Sequence, residues 1–462
     1  MDQKVNSPLA TTPIPKLMLK MALPTVVAQI VNLLYNIVDR IYIGNMEGIG
    51  ADALTGVGLC LPLIMMMNAF AMLGAAGGSP RAAIALGQGN REEAEKILGN
   101  CSCMLLIFSA LITVVYLLFA EPLLRLVGAS DATLPYALDY MNIYSCGTVF
   151  VLLVLGLNTF LTAQGFSNFA MATTLIGAII NIILDPILIF GFHMGVRGAA
   201  TATVLSQAVG SAWVLWFLIK GKKTIIRLRL PNMKLMGRVA GPCLALGISG
   251  FVMMATESFL SISFNSSLQR FGGDIAVGSM TIISSCSQLA LMPASGISQG
   301  CQPIVSFNFG AGMTDRVKKC FKLQLLLCGG YTIAFWALSM LFPQVLVQIF
   351  NSDPALVEHT VWTMRVYMAG IFAMGFQLTC QQCFMALGQA KVSLLLACLR
   401  KLILLIPLIF ILPLFFENKV FAVFLAEPVS DILAAFVTVT VFSLRFSKIL
   451  KNGPAQIGHG KE

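Results

Sequence analysis

Charge is what this sequence has least of: 11% of its 462 residues are Asp, Glu, Lys or Arg, against 57% hydrophobic. Soluble proteins carry about 25% charged residues, so the shortage excludes a chain folded mainly in water. Histidine is scarcer still. Only His193, His359 and His459 occur, too scattered for the clustered ligands of a zinc site, so no structural or catalytic metal centre and no organic cofactor is expected. The 12 cysteines fall almost entirely within apolar runs, without the paired loop clusters of a disulfide framework. Cys380 and Cys383 form a Cys-x-x-Cys, but on a membrane helix that spacing sets two small side chains on one face, and packing is the reading it supports. The first 16 residues, with Pro8, Pro13 and Pro15, have no apolar core. They lack the charged head, greasy stretch and small-residue cleavage site of a signal peptide, so the N-terminus is expected to be retained.

What the sequence has in abundance is apolar runs of about 20 residues, the length that crosses a bilayer as a helix. Twelve can be read, near 17–44, 51–77, 97–120, 134–158, 169–192, 196–219, 237–266, 274–300, 321–342, 359–386, 393–416 and 419–444. The predicted fold is all-α and integral to the membrane, with almost nothing left over for a soluble domain. The formal net charge of +10 could suggest nucleic acid, but its placement argues for topology. Most of the 30 Lys and Arg gather in the N-terminal tail, the even-numbered loops and the C-terminal tail. The central loop alone has Lys220, Lys222, Lys223, Arg227, Arg229, Lys234 and Arg238. The opposite loops hold only Arg125, Arg197, Arg270, Arg365 and Lys419. Cytoplasmic loops are the basic ones, so both termini are expected in the cytoplasm of a multi-pass cell-membrane protein, with anionic lipid heads as neighbours and no nucleic-acid partner.

The two halves repeat one another. Lys16-Leu17-Met18 recurs as Lys234-Leu235-Met236, and the same offset carries Pro24 onto Pro242 and Asp39 onto Glu257. Further along, an offset of five more residues relates Pro80, Gly87 and Gly89 to Pro303, Gly310 and Gly312, then Met141 and Tyr144 to Met364 and Tyr367, Gly147 to Gly370, and Gly165 to Gly388. Six helices per half is an even number, so both halves insert the same way, as a parallel repeat about an axis along the membrane normal. The predicted organisation is a tail (1–16), a first lobe of six helices (17–219), a basic linker (220–236), a second lobe of six (237–446) and a tail (447–462), the lobes related by a pseudo-two-fold axis and enclosing a central cleft. The glycines around Gly87–Gly89 and Gly310–Gly312 lack the Gly-Lys-Ser/Thr ending and the preceding strand of a phosphate loop, and are read as turns.

A carboxylate at mid-bilayer costs about 2.5 to 3.5 kcal/mol on insertion scales, and such groups usually face a cavity or a partner. In helix one, Gln29, Asn32, Asn36 and Asp39 are spaced three, four and three apart, which puts them on one helical face. In helix five, Asn181 and Asp185 stack four apart; helix four is predicted to end at Asn158, and helix six adds Thr201 and Thr203. Oxygen ligands suit a hard cation, and two nearby carboxylates readily share a proton. Asn and Thr also glue membrane helices together, so for the amides and hydroxyls alone both readings stand. Carboxylates are an expensive glue, which favours function for Asp39 and Asp185. Pro24 and Pro186 each remove a backbone bond from a helix and can bend it. Glu257, and Glu427 with Asp431 in helix twelve, are secondary acids. The many Met and Phe, including Met65-Met66-Met67 and Met253-Met254, fit lipid-facing or core positions, and also loose binding of aromatic cations.

The run Tyr35-Asn36-Ile37-Val38-Asp39-Arg40-Ile41-Tyr42-Ile43-Gly44, the sequence from Asn158 to Ala163-Gln164-Gly165, and Asn181-Ile182-Ile183-Leu184-Asp185-Pro186 together resemble multidrug and toxic compound extrusion (MATE) transporters. The resemblance covers essentially the whole chain and leans to the DinF-like and MepA-like branch. It implies drug efflux driven by an inward H+ or Na+ gradient, with the lobes alternating between outward-open and inward-open. It also implies cation coupling at Asp39, Asn158, Asn181, Asp185 and Thr203, where a Na+ ion would bind if sodium is the ion, and helix bending at Pro24. Asn36, Glu257, Tyr144 and Gln29 are secondary candidates. The NorM-like branch adds acids in helices seven and ten. Glu257 supplies the first, but helix ten offers Tyr367, Gln377, Gln381 and Gln382 and no acid, so the resemblance does not carry a second-lobe cation site over.

The function expected is therefore a multidrug antiporter acting as a monomer on small, lipophilic, often cationic molecules. The alternative within transport, a flippase for a lipid-linked saccharide, would need basic residues deep in the cleft to meet an anionic substrate, and Arg400 and Lys401 are the nearest to that description. An intramembrane enzyme is disfavoured, because the chain has no Gly-x-Gly-Asp pair, no His-Glu-x-x-His helix and no Ser-His pairing. A passive channel does not fit a duplication built for alternating access.

Overall fold

The computed structural model describes residues 7–46, 50–350 and 353–454, and among them there are helices and no strands. Six membrane helices make the N-terminal lobe. They are α1 (Ile14–Gly44), α2 in two pieces (Gly50–Ala75 and Gly78–Gly87), α3 (Arg91–Leu126) and α4 in two pieces (Leu134–Cys146 and Thr148–Ala163). The lobe closes with α5 (Ser167–Pro186, continued by a π turn over Ile187–Gly191) and α6 (Val196–Lys220). Residues 237–310 run as helix with one non-helical residue, Gly273 at φ 62° and ψ −159°, a conformation essentially confined to glycine. That residue separates α7 (237–272) from α8 (274–310). The C-terminal lobe continues with α9 (Thr314–Leu341), α10 (Pro354–Tyr367 and Ile371–Ala386), α11 (Ala390–Cys398, a π segment Leu399–Leu405, then Ile406–Ile411) and α12 (Lys419–Asn452). The fold is thus all-α, with twelve membrane helices in two lobes of six.

The internal repeat is written into the backbone. Gly147 breaks α4, whose pieces meet at 57°, and the equivalent Gly370 ends a 3-10 turn, Met368–Gly370, that interrupts α10. The turn glycines pair in the same way: Gly89 and Gly312 have φ of 81° and 75°, and Gly165 and Gly388 have 90° and 72°. These are left-handed residues just past helix ends, where glycine has no Cβ to clash. The π segments of α5 and α11 also fall in equivalent helices.

The lobes meet through small residues. A side chain at Gly87 in α2 would collide with the Phe307 carbonyl of α8, and one at Gly310 in α8 with the Ile84 carbonyl of α2. Gly77 likewise abuts Cys243 and Gly247 of α7, while its repeat partner Gly300 abuts Ala22 of α1. Close backbone approach of this kind is how membrane helices gain van der Waals contact where lipid removes the hydrophobic drive.

These contacts share one end of the molecule with the linker. Gln164 Oε1 accepts from the Ile225 and Ile226 amides at 2.8 and 3.0 Å, Asn100 Oδ1 accepts from Met236 N at 2.7 Å, and Glu95 pairs with Arg229 at 3.1 Å. The predicted tail is shorter than expected at this end. Residues Pro8–Thr11 form a helical turn, α1 already begins at Ile14, and Leu9 is buried. The Leu9 side chain lies over Gly165 of the N-lobe. Its carbonyl accepts from Asn308 Nδ2 at 3.1 Å and Arg316 Nη2 at 3.0 Å, and Arg316 also donates to Thr12 O at 2.7 Å. The turn therefore straps the two lobes together beside the linker. Two other boundaries move outward: α4 continues past Asn158 to Ala163, and α12 runs on to Asn452.

Candidate functional site: a polar cavity in the N-terminal lobe

A cavity of about 730 Å³ opens among α1, α2, α4, α5 and α6. Gln29, Asn32, Asn36 and Asp39 of α1 all line it. The face predicted from their spacing is therefore the face that turns inward. Asn158 and Tyr144 of α4 and Thr203 of α6 join them, and Met254 and Gln299 contribute an edge from the C-terminal lobe. At that edge Gln29 Nε2 donates to Gln299 Oε1 at 3.2 Å.

Asn181 and Asp185 stand one layer back. They do not line the cavity but are buried behind Thr203, at 1% and 0% exposure. Asn181 Nδ2 donates to Asp185 Oδ1 at 3.2 Å and reaches Thr203 Oγ1 at 3.5 Å, while the Thr203 hydroxyl donates to Ala199 O at 3.0 Å. Asn158 turns its amide nitrogen to Ala170 O at 3.1 Å.

Four acceptor oxygens in this group have no protein donor among the described residues: Asp39 Oδ1, Asn158 Oδ1, Asn181 Oδ1 and Asp185 Oδ2 are each buried and unpartnered. Leaving one buried polar atom unpaired costs about 1 to 3 kcal/mol, and more for a charged group. Four together, two of them on carboxylates, suit the addition of positive charge: a proton on a carboxyl, or a cation that takes oxygen ligands. The chemistry of the donor set fits both.

The wall also holds residues that the sequence did not single out. Tyr35, Tyr140 and Asn68 all line the cavity, and Asn68 Oδ1 is another unpartnered buried acceptor. Asn68 carried a signal, being a lone amide after Met65-Met66-Met67. The tyrosines carried none, because an aromatic in an apolar run looks the same whether it faces lipid, core or cavity. Thr201 is half-buried and bonds within its own helix to Arg197 O at 2.7 Å, and it does not line the cavity. Arg40 also lines the cavity, next to Asp39 in the chain.

Pro24 lies where α1 crosses the other lobe. Thr25 Oγ1 donates to Ala22 O at 2.8 Å and to Gly296 O of α8 at 2.6 Å, and Gly296 packs against Val26. The missing amide of Pro24 thus weakens α1 just where it leaves the lobe contact and enters the cavity wall.

Glu257, the repeat counterpart of Asp39, lies outside this constellation. It is paired with Lys401, whose ammonium also donates to Met253 O at 2.7 Å. Glu427 and Asp431 are likewise engaged, by Arg400 at 2.8 and 2.7 Å. The pairing of these acids was not visible along the chain, since it depends on α7, α11 and α12 being neighbours. Cys380 and Cys383 are buried free thiols.

A duplicated, all-helical, multi-pass membrane protein with a polar cavity among its helices has the build of a membrane transporter. The chain belongs to the MatE family, whose family model matches residues 24–187 and 250–411. It is similar to the multidrug export protein MepA of Staphylococcus haemolyticus (strain JCSC1435), with 26% identity over 93% of this chain and 94% of that one. MepA of Staphylococcus aureus (strain NCTC 8325 / PS 47) is 24% identical over 92% and 94%. Among solved structures, a ligand complex of the MATE multidrug transporter DinF-BH aligns at a TM-score of 0.88, with 32% identity over 96% of this chain and 98% of that one.

Proposed function

We propose that this protein exports lipophilic, often cationic, drug-like compounds in exchange for inward movement of H+ or Na+, by alternating access of its two lobes. The observation that carries the reading is the set of four buried, unpartnered oxygens on Asp39, Asn158, Asn181 and Asp185 beside a polar cavity. Binding of a cation there supplies what those oxygens lack, and only a difference in that affinity between the two lobe arrangements can drive a cycle. The cavity volume of about 730 Å³ falls within the range of sites for drug-sized ligands. Its tyrosines and methionine edge suit aromatic cations. The relatives named for multidrug export, and the multidrug transporter DinF-BH with its bound ligand, favour the same substrate class. On this reading the compound binds within the N-terminal lobe, the chain works as a monomer in the cell membrane, and the linker end faces the cytoplasm.

The flippase alternative gains little from the geometry. Among the described residues Arg40 is the one basic residue on the cavity wall, set beside Asp39, whereas Arg400 and Lys401 are engaged by acids in the other lobe. Efflux of ethidium or a rhodamine dye from cells expressing the native chain, the Asp39→Asn chain and the Asp185→Asn chain tests the proposal. Equal surface expression with export lost in both variants is expected; wild-type export by both would refute it.

A further inference from the structure

The repeat allows the lobes to be compared position by position, and at the place equivalent to the cavity they differ: Asn181, Asp185 and Thr203 fall opposite Leu404, Leu408 and Ala426, and the C-terminal lobe has two basic residues of its own. Asp39, Tyr144 and Asn158 correspond to Glu257, Tyr367 and Gln381. Counting on from the turn glycines Gly165 and Gly388, Gly177-Ala178 of α5 correspond to Arg400-Lys401 of α11. Gly177 and Ala178 line the N-terminal cavity and leave it open. Arg400 and Lys401 instead project into the C-terminal lobe, where the remaining cleft is only about 30 Å³. Both basic side chains are nearly buried, at 13% and 6% exposure. Arg400 is held by Glu427 and Asp431, while the Lys401 ammonium is held between the Glu257 carboxylate and the Met253 carbonyl.

We infer that Lys401 is a tethered cation held on Glu257, the repeat counterpart of Asp39, with Arg400 fixing the acids behind it, so that a cation-binding position is built into this lobe and occupied by the chain itself. A carboxylate and a carbonyl oxygen around one positive charge are the ligands a free monovalent cation would take. Here the charge is carried on a side chain and cannot leave. The N-terminal lobe has an acid at the repeat position, Asp39, and among the described residues no lysine reaches it. On the function proposed above, which this contrast rests on, the N-terminal lobe exchanges its positive charge with solvent and the C-terminal lobe does not. The inference rests on the repeat and on the C-terminal geometry, and is independent of which compound is exported.

Removing the ammonium should expose the site to free cations. The test is the thermal unfolding midpoint of the purified full-length chain in detergent, with Na+ or methylammonium titrated in. Lys401→Ala should unfold at a lower temperature than the native chain, and added methylammonium or Na+ should raise its Tm saturably. The double variant Lys401→Ala with Glu257→Gln should lose that rise, since the carboxylate that would bind the cation is gone. Lys401→Met, which keeps the length without the charge, serves as a second variant should the cavity left by Ala prevent folding, and should show the Na+ response. Cation responses in Lys401→Ala and Lys401→Met no larger than the native one would overturn the inference. The comparison is among variants at residues 401 and 257, so it reads the same whether or not Asp39→Asn changes the native response.

Discussion

Asp185 poses the sharpest energetic question in the chain. It is fully buried, accepts one hydrogen bond from Asn181 and leaves Oδ2 without a donor. A buried carboxylate in that condition carries a desolvation cost of several kcal/mol unless a proton or cation joins it. Asn has nearly the same shape and carries no charge, so Asp185→Asn should leave folding intact or raise the Tm slightly. Gradient-driven transport should fall by about a hundredfold, as expected when an interaction of about 3 kcal/mol is removed. A melting curve and a transport rate on the same preparation check both halves. Thr203→Val tests the layer between Asp185 and the cavity. Losing the hydroxyl that Asn181 approaches should weaken the coupling ion by about tenfold, within the range for one polar partner, while apolar substrates bind as before. At this scale the sequence was informative wherever polarity interrupts an apolar run at helical spacing, as in Gln29, Asn32, Asn36 and Asp39. It was silent on Tyr35 and Tyr140, and on the fact that Asn181 and Asp185 stand behind Thr203 instead of on the wall.

At the scale of elements, α1 has two functions along its 31 residues. Its first half packs against Gly296 and Gly300 of α8, and its second half supplies the polar wall. Pro24 and the carbonyls that the Thr25 hydroxyl meets sit at the junction. Pro24→Ala restores the helix hydrogen bond and should stiffen that junction, keeping cation binding while slowing turnover about tenfold, which corresponds to about 1.4 kcal/mol, roughly half of the about 3 kcal/mol at stake when a helix proline is gained or lost. Parallel measurements of ion affinity and transport rate would separate the two effects. The reciprocal contacts of Gly87 with Phe307 and of Gly310 with Ile84 make a second element-scale prediction. Gly310→Val cannot accommodate its side chain with the lobes closed at the linker end. Spin-label distances across that end should lengthen and efflux should be abolished, although the chain still inserts. The glycines of both pairs were legible as repeat landmarks, but their meeting one another was not, because it is a property of two helices and not of one.

Across the whole molecule, duplication explains the shape and its breakdown explains the chemistry. The paired bends at Gly147 and Gly370, the left-handed turns at Gly89, Gly165, Gly312 and Gly388, and the π segments in α5 and α11 are all repeated features. The cavity is not repeated, because Arg400 and Lys401 stand where the N-terminal lobe has Gly177 and Ala178. The two-lobed, twelve-helix plan could be read from hydropathy and internal register alone. Which lobe is open could not, since it depends on side chains from three helices meeting in space. Nor could the strap formed by Leu9, Thr12 and Arg316, for a proline-rich start with no apolar run gives no sign of burial.

The most direct test of the account is transport in liposomes containing the purified chain, with a pH gradient or a sodium gradient imposed separately and ethidium movement followed for the native protein and Asp39→Asn. The account predicts that one of the two gradients drives ethidium against its concentration in the native chain and that Asp39→Asn abolishes the effect. Ethidium movement that ignores both gradients, or that persists unchanged in Asp39→Asn, would contradict it.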